Sequence, residues 1–249
     1  MADEINLTIS RYNPDKDGDY KTQRFTIPYH NDWSILDALN YIKAEVDASL
    51  SYRWSCRMAV CGSCGMMVNG TPRLTCSTYL SEFYPGEITI EPLANFPVVR
   101  DLVVDISDFM AKLKSVKPWI IRKNKKDEGD LSSEYLQTPA QMAIYMQQSL
   151  CINCTLCYAA CPVYGLHPEF LGPGVMALAY RYNKDSRDEG KGERRKVLAS
   201  EDGVWKCTVV GDCTEVCPKH VDPSAAIQRT KVDSAINWFI SLLKGGVGR

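Results

Sequence analysis

Residues 151–162 read Cys-Ile-Asn-Cys-Thr-Leu-Cys-Tyr-Ala-Ala-Cys-Pro. Cys151, Cys154, Cys157 and Cys161, closed by Pro162, reproduce the CxxCxxCxxxCP run with which bacterial ferredoxins hold an iron-sulfur cubane. Three thiolates at two-residue intervals wrap one cluster from a single short loop. The fourth, one residue further on, ligates a neighbouring cluster. Such runs come in pairs, so the chain should carry a second.

The second run is residues 207–218, Cys-Thr-Val-Val-Gly-Asp-Cys-Thr-Glu-Val-Cys-Pro. It fits the same template with one substitution, Val210 in the second cysteine position. Crossing the ligands as the rule requires gives one cluster Cys151, Cys154, Cys157 and Cys217, a full [4Fe-4S] set. The other receives only Cys161, Cys207 and Cys213. A cubane corner facing valine has no thiolate to hold its iron, so a [3Fe-4S] cluster is expected. The competing reading, a fourth iron completed by another side chain or water, stays open. With fewer negative ligands, this centre should have the higher potential.

The remaining cysteines lie upstream. Cys56, Cys61 and Cys64, followed by Cys76, have the Cx4CxxC…C spacing of plant-type [2Fe-2S] proteins. Gly62 and Gly65 are expected to let the backbone approach the sulfides, with Ser63 available for hydrogen bonding. A structural zinc is the bland alternative, although zinc loops favour paired CxxC steps. All eleven cysteines are then used. Disulfides are set aside, because the opening MADEINLTIS has neither the basic nor the apolar region of a secretory signal.

Around these loops the patterning divides the chain. Ile5, Leu7 and Ile9 alternate, and Phe25, Ile27 and Tyr29 repeat that period after NPDKDGD (13–19), predicting a hairpin. Ser34 and Asp37 open a helix through Ile35, Leu36, Leu39 and Ile42. Met66–Val68, Asn69-Gly70 and the segment after Pro72 predict a second hairpin, and Glu87–Leu93 a last strand. These elements make residues 1–105 a small α+β, ferredoxin-like domain. Leu102, Ile106, Phe109 and Leu113 predict a connecting helix. Residues 122–134 form a charged linker, so 106–137 is read as a connector. From Thr138-Pro139 and Gln141 onward, helices are expected near 140–150, 174–183 and 224–243, interrupted at Pro162, Pro173, Pro218 and Pro223. Residues 138–249 should therefore be an all-α domain.

The exclusions are equally physical. The net charge of −1 gives no field to hold nucleic acid. It divides unevenly, with nine basic against fourteen acidic residues up to 105 and twenty against sixteen beyond, so the second half is the one expected to face an anionic surface. No apolar run approaches the roughly 18 residues needed to span a bilayer. No GxGxxG, GxxxxGK[ST] or HExxH motif occurs. His30, His167 and His220 lie outside metal spacing, although His220 could tune the cluster on Cys217. In the last helix Ile227, Ala235, Ile236, Phe239, Ile240 and Leu243 suggest a face packed in the core, with contact to a membrane partner through Trp238 the competing reading.

The segments YRWSCRMAVCGSCGMMVNG (52–70), LANFPVVRDLVVD (93–105), CINCTLCYAACPVYGLHPEFLGP (151–173) and CPKHVDP (217–223) resemble the iron-sulfur subunits of succinate dehydrogenase and quinol:fumarate reductase. The resemblance covers nearly the whole chain. It implies a β-grasp N-terminal domain, a helical C-terminal domain, and [2Fe-2S], [4Fe-4S] and [3Fe-4S] clusters on the cysteine sets above. It also implies partners: a flavoprotein subunit carrying FAD, a transmembrane anchor and a quinone, with the chain held peripherally on the cytoplasmic side of the inner membrane. Thr208 and Gly165 stand where succinate dehydrogenases commonly have His and Trp, and Cys64 where some have Asp. These positions resemble the fumarate reductase branch, in which menaquinol feeds electrons towards fumarate in anaerobic respiration. Lys231, with Gln228 one turn before it, matches a lysine near the menaquinone. The alternatives carried forward are the equivalent succinate dehydrogenase subunit, the subunit of a related reductase, and a cluster-bearing sensor.

Overall fold

The computed structural model describes residues 3–16, 20–123 and 134–243. The chain divides into two units: Met1–Asp108 with Ile152–Ala160, and Phe109–Cys151 with Cys161–Arg249. The sequence order places 152–160 with the last part of the chain, but by packing this cysteine-bearing segment belongs to the first unit.

In the first unit β1 (Glu4–Arg11) and β2 (Lys21–Pro28) pair antiparallel, with Ile5 opposite Ile27 and Leu7 opposite Phe25. The middle of the expected turn, 17–19, lies outside the described residues. The helix α1 (Ile35–Tyr41) starts where its capping box dictates. Ser34 Oγ accepts from the Asp37 N–H, and Asp37 accepts from the Ser34 N–H at 3.0 Å. Such a cap stabilises a helix by about 1 kcal/mol. A π-helical turn, Ile42–Val46, extends it. β3 (Gly65–Val68) and β4 (Thr71–Leu74) are joined by Asn69 and Gly70, both at positive φ, as a two-residue hairpin turn requires. Pro72 sits inside β4. β5 (Ile88–Glu91) runs parallel to β1 and antiparallel to β3, giving the order β2-β1-β5-β3-β4. Ile5, Leu7, Ile9, Ile88 and Ile90 pack against Ile35, Leu39 and Ile42 with almost no exposure. Full burial of each such side chain stabilises the fold by about 1.5–3 kcal/mol.

Beyond β5 the structure corrects one expectation. Val98–Arg100 (β6) and Val103–Val104 (β7) form a two-stranded ribbon. Leu102 therefore lies in a turn, and the helix α2 begins only at Ser107 and runs to Ser115. The turn is held by Asp101, which accepts from Arg11 Nε at 3.0 Å, the Tyr12 N–H at 3.1 Å and the Ser51 N–H at 2.8 Å.

The described residues of the second unit are helical. Most of the expected linker, 124–133, lies outside them. Thr138, Pro139 and Gln141 form the expected cap of α3 (Pro139–Ala143). The helix near 140–150 is broken, however, and α4 is Met146–Ser149. Tyr145 interrupts it with φ −125° and ψ 0°, its ring buried and its hydroxyl donating to Gln137 Oε1 at 2.5 Å. After α5 (Leu156–Ala159), which packs in the first unit, come α6 (Pro162–Leu166) and α7 (Pro173–Lys184), each with proline in its first turn. The helix α8 (Lys191–Leu198), which the patterning did not predict, is followed by α9 (Asp212–Glu215) and α10 (Pro223–Leu243). The main packing in this unit is α10 against α7.

Candidate iron-sulfur centres

The loop 56–63 bends left-handed at Arg57 and Ala59, with φ of 60° and 54°. These reversals turn successive N–H groups inward, making a concave donor surface for anionic sulfur. Cys56 Sγ accepts from the N–H groups of Met58 and Val60 at 3.4 Å and of Cys61 at 3.3 Å; Cys76 Sγ accepts from Ala59 at 3.3 Å. The donors hold the Cys56 thiol down at about 6, whereas burial, followed by hydrogen bonding to Cys64, pushes Cys76 up to about 11. Cys64 precedes β3, and its carbonyl accepts from the N–H and hydroxyl of Thr75 at 3.1 and 3.0 Å. The hairpin thereby sets Cys64 beside Cys76. Cys61 is exposed, as are Met58 and Val60.

The two later cysteine runs share a backbone conformation. In the first, Asn153 and Thr155 have φ of 55° and 62°, and Thr155 caps the four-residue α5. In the second, Val209 and Gly211 have φ of 64° and 99°, and Gly211 caps the four-residue α9. These pairs occupy equivalent template positions, so Val210 stands where Cys154 does. Each closing cysteine accepts from a backbone N–H just beyond its proline: Cys161 Sγ from Tyr164, three residues on, at 3.5 Å, and Cys217 Sγ from Val221, four residues on, at 3.3 Å.

Cys161, Cys207 and Cys213 line one cleft in the second unit, together with Val210, Thr208, Phe170 and Ile227. Burial, then the neighbouring sulfurs of Cys161 and Cys207, pushes the Cys213 thiol up to about 12, and burial also raises Cys161. Protons leave such thiols readily only when a cation takes their place, which iron does. Cys151 and Cys217 pack against the cluster of Ala177, Tyr180, Val221 and Ala226, while Cys154 and Cys157 are carried by the segment packed in the first unit. All eleven cysteines lie among the described residues, and no disulfide joins any of them. Among the described residues no three His, Cys, Asp or Glu side chains converge as a single-ion site requires; a cluster spreads its thiolates over several irons, at most two to each. The donor set fits iron-sulfur clusters.

Lys231 Nζ donates to the Cys207 carbonyl at 2.7 Å, bracing the ligand loop from α10. Gln228 Nε2 is buried without a hydrogen-bond partner. Gly165 is exposed in α6. His30 stacks on Trp33, His167 lies 3.4 Å from Glu169, and the His220 carbonyl accepts from Gln147. Core packing accounts for only the first half of α10, Ile227 included. Ile236, Phe239, Ile240 and Leu243 are 42–73% exposed and Trp238 is 64% exposed, so the outer apolar face is left uncovered by the described residues. Asn95 was not singled out in the sequence. Its Nδ2 donates to the carbonyls of Tyr158 and Ala159 at 2.9 and 3.1 Å, seating the 152–160 segment.

Residues 6–111 match the family described as 2Fe-2S iron-sulfur cluster binding domain, and 147–221 that described as 4Fe-4S dicluster domain. Fold and site together define an iron-sulfur protein of ferredoxin-type parts. The chain is 53% identical to the fumarate reductase iron-sulfur subunit of Mycobacterium tuberculosis, covering 98% of each, and 55% identical to that of Escherichia coli O6:H1, covering 98% of this chain and 99% of the relative. A chain of the Mycobacterium smegmatis Sdh1 complex in the apo form superposes with a TM-score of 0.86 at 27% identity, covering 96% of this chain and 98% of that one. The chain belongs to the family of fumarate reductase iron-sulfur subunits.

Proposed function

We propose that this chain is the electron-transfer subunit of a membrane-bound quinol:fumarate reductase, an oxidoreductase whose flavin site is on another chain. The assigned ligands are Cys56, Cys61, Cys64 and Cys76 for [2Fe-2S]; Cys151, Cys154, Cys157 and Cys217 for [4Fe-4S]; and Cys161, Cys207 and Cys213 for [3Fe-4S]. When bound, the clusters supply reversible one-electron steps. The chain's residues do the rest: thiolates hold iron, inward N–H groups stabilise sulfur charge, and apolar side chains such as Phe170 and Ile227 limit water. The observation that carries this reading is the repeated backbone of the two cysteine runs, with Val210 in the place of Cys154.

Electrons are proposed to enter from menaquinol near the three-cysteine cleft and leave by the exposed 56–63 loop for the FAD of a flavoprotein partner. A transmembrane anchor would cover the apolar outer face of α10. Among the described residues no helix is long and apolar enough to cross a membrane. The anchor would therefore hold the chain peripherally, on the cytoplasmic side of the inner membrane. Lys231 and Gln228 are the proposed quinone-proximal residues. The cation braced on Cys207 and the uncommitted amide one turn before it offer donors to a quinone oxygen. The organisation is proposed as two cluster-binding parts, 1–105 and 138–249, joined by the connector 106–137. The same parts run in reverse would serve succinate oxidation, a reading favoured by the likeness to the Sdh1 complex chain.

Stepwise reduction of the intact complex, followed by spin resonance, tests the assignment. Three distinct centres should appear, each reduced by quinol and reoxidised by fumarate within turnover. Zinc in place of iron, or centres that stay silent during turnover as in a sensor, would falsify it. Lys231→Ala should lower quinol-driven turnover while the [2Fe-2S] signal is retained.

A further inference from the structure

Gly62 lies between two ligands of the first cysteine group and has a φ of +76°. A Cβ at this position would lie 2.8 Å from both Cα and Cβ of Cys154, a distance that real Cβ atoms essentially never show, and a tight 3.1 Å from its N. Most of these atoms are backbone, so no side-chain rotation relieves the clash. Gly65 repeats the approach more loosely, its notional Cβ falling 3.4 Å from the Cys154 carbonyl and 3.0 Å from Leu156 Cδ2. Besides the approach to the sulfides expected of its glycines, this loop lies directly on the ligand segment 152–160, which Asn95 holds in the same unit.

We infer that Gly62 is a positioning residue for electron transfer: its missing side chain lets the loop bearing Cys61 and Cys64 touch Cys154, giving a short path between the two cluster sites. The inference rests on the proposed function. One electron passes along this contact, oxidising the centre held by Cys154 and reducing the one held by Cys61 and Cys64. No proton moves and no bond is made or broken.

The test uses the intact complex and the mutual broadening of the two clusters' spin-resonance signals when both are reduced, a readout of their separation independent of turnover. Gly62→Ala should retain both signals and lose part of that broadening, and the [2Fe-2S] centre should be reduced more slowly by quinol in freeze-quench samples. Gly70→Ala is the control, since Gly70 has the same φ of +76° but nothing within 4 Å of its Cβ position; it should leave the broadening unchanged. If Gly62→Ala fails to assemble, Asn95→Gly decides. That variant removes the anchor of the 152–160 segment without altering either loop, keeps a positive φ available, and should reduce the broadening in the same way. Unchanged broadening with both signals present overturns the role of the contact and leaves the functional reading standing. A wild-type complex without the two signals overturns the functional reading, and this inference with it.

Discussion

Val210 shows how much chemistry one side chain decides. It occupies the position of Cys154 on a backbone that repeats the same left-handed turns, and it lines the cleft with Cys161, Cys207 and Cys213. Replacing its hydrocarbon with a thiol should supply the missing iron ligand. In Val210→Cys the spectroscopic signature of a three-iron centre should give way to that of a four-iron one, iron content should rise by about one atom per chain, and the potential should fall, because another thiolate adds negative charge. An unchanged spectrum with the new cysteine in place would mean that position 210 does not face the cluster. The spacing alone revealed this residue, because ligand order is a local property of the chain. The contact that Gly62 makes was not legible, for the opposite reason. Its neighbour Cys154 is ninety-two positions away, and nothing in the local sequence reports such an approach.

At the scale of elements, the legible ones carried their signals on the surface of the sequence. The capping boxes of α1 and α3, the Asn69-Gly70 turn and the proline opening α7 stand where the residue chemistry requires, whereas Pro162, expected as an interruption, opens the unpredicted α6. The helix α8 was invisible because, of its two inward residues, Arg194 and Leu198, the first is a charge. Arg194 is fully buried, donating to both oxygens of buried Asp188 at 2.7 and 2.9 Å and to the carbonyls of Val116, Lys117 and Trp119. A hydrophobic stripe could not have announced that arrangement. The guanidinium is a planar fork that an ammonium cannot copy. Arg194→Met, which removes the fork and leaves Asp188 buried without its cation, should destabilise the second unit by about 3–5 kcal/mol, the cost of breaking a buried pair. A shift in the denaturation midpoint of this unit checks it, and a change below about 1 kcal/mol would mean that solvent reaches Asp188 after all.

At the scale of the whole molecule, charge matters through pairs rather than through the net value of −1. Asp185, at the end of α7, has a fully buried side chain that accepts from Arg187 at 2.8 and 2.9 Å and lies 3.2 Å from Arg181. Hydrogen bonding by Arg187, against the opposing effect of burial, holds its carboxyl at about 2, below its usual 3.8. A depressed carboxyl stabilises the folded state above the unfolded value, and the contribution is lost as the pH falls through about 2. That contribution is roughly 2 kcal/mol at neutral pH. Asp185→Asn should accordingly lower thermal stability at pH 7, with a cost that shrinks below about pH 4; a pH-independent cost would assign the effect to packing instead. Domain order was readable from the three cysteine groups, but the grouping of 152–160 with the first unit was not, since it depends on contacts such as Asn95 to Tyr158 that span the chain.

The outer half of α10 leaves a practical legacy. Trp238, Phe239 and Leu243 form a greasy strip on a helix that no other described residue shields. A surface of that kind invites self-association when the polypeptide is made without its companions. Produced alone, it should pellet or require detergent, and synthesis alongside the anchor proposed to cover that strip should keep it dispersed.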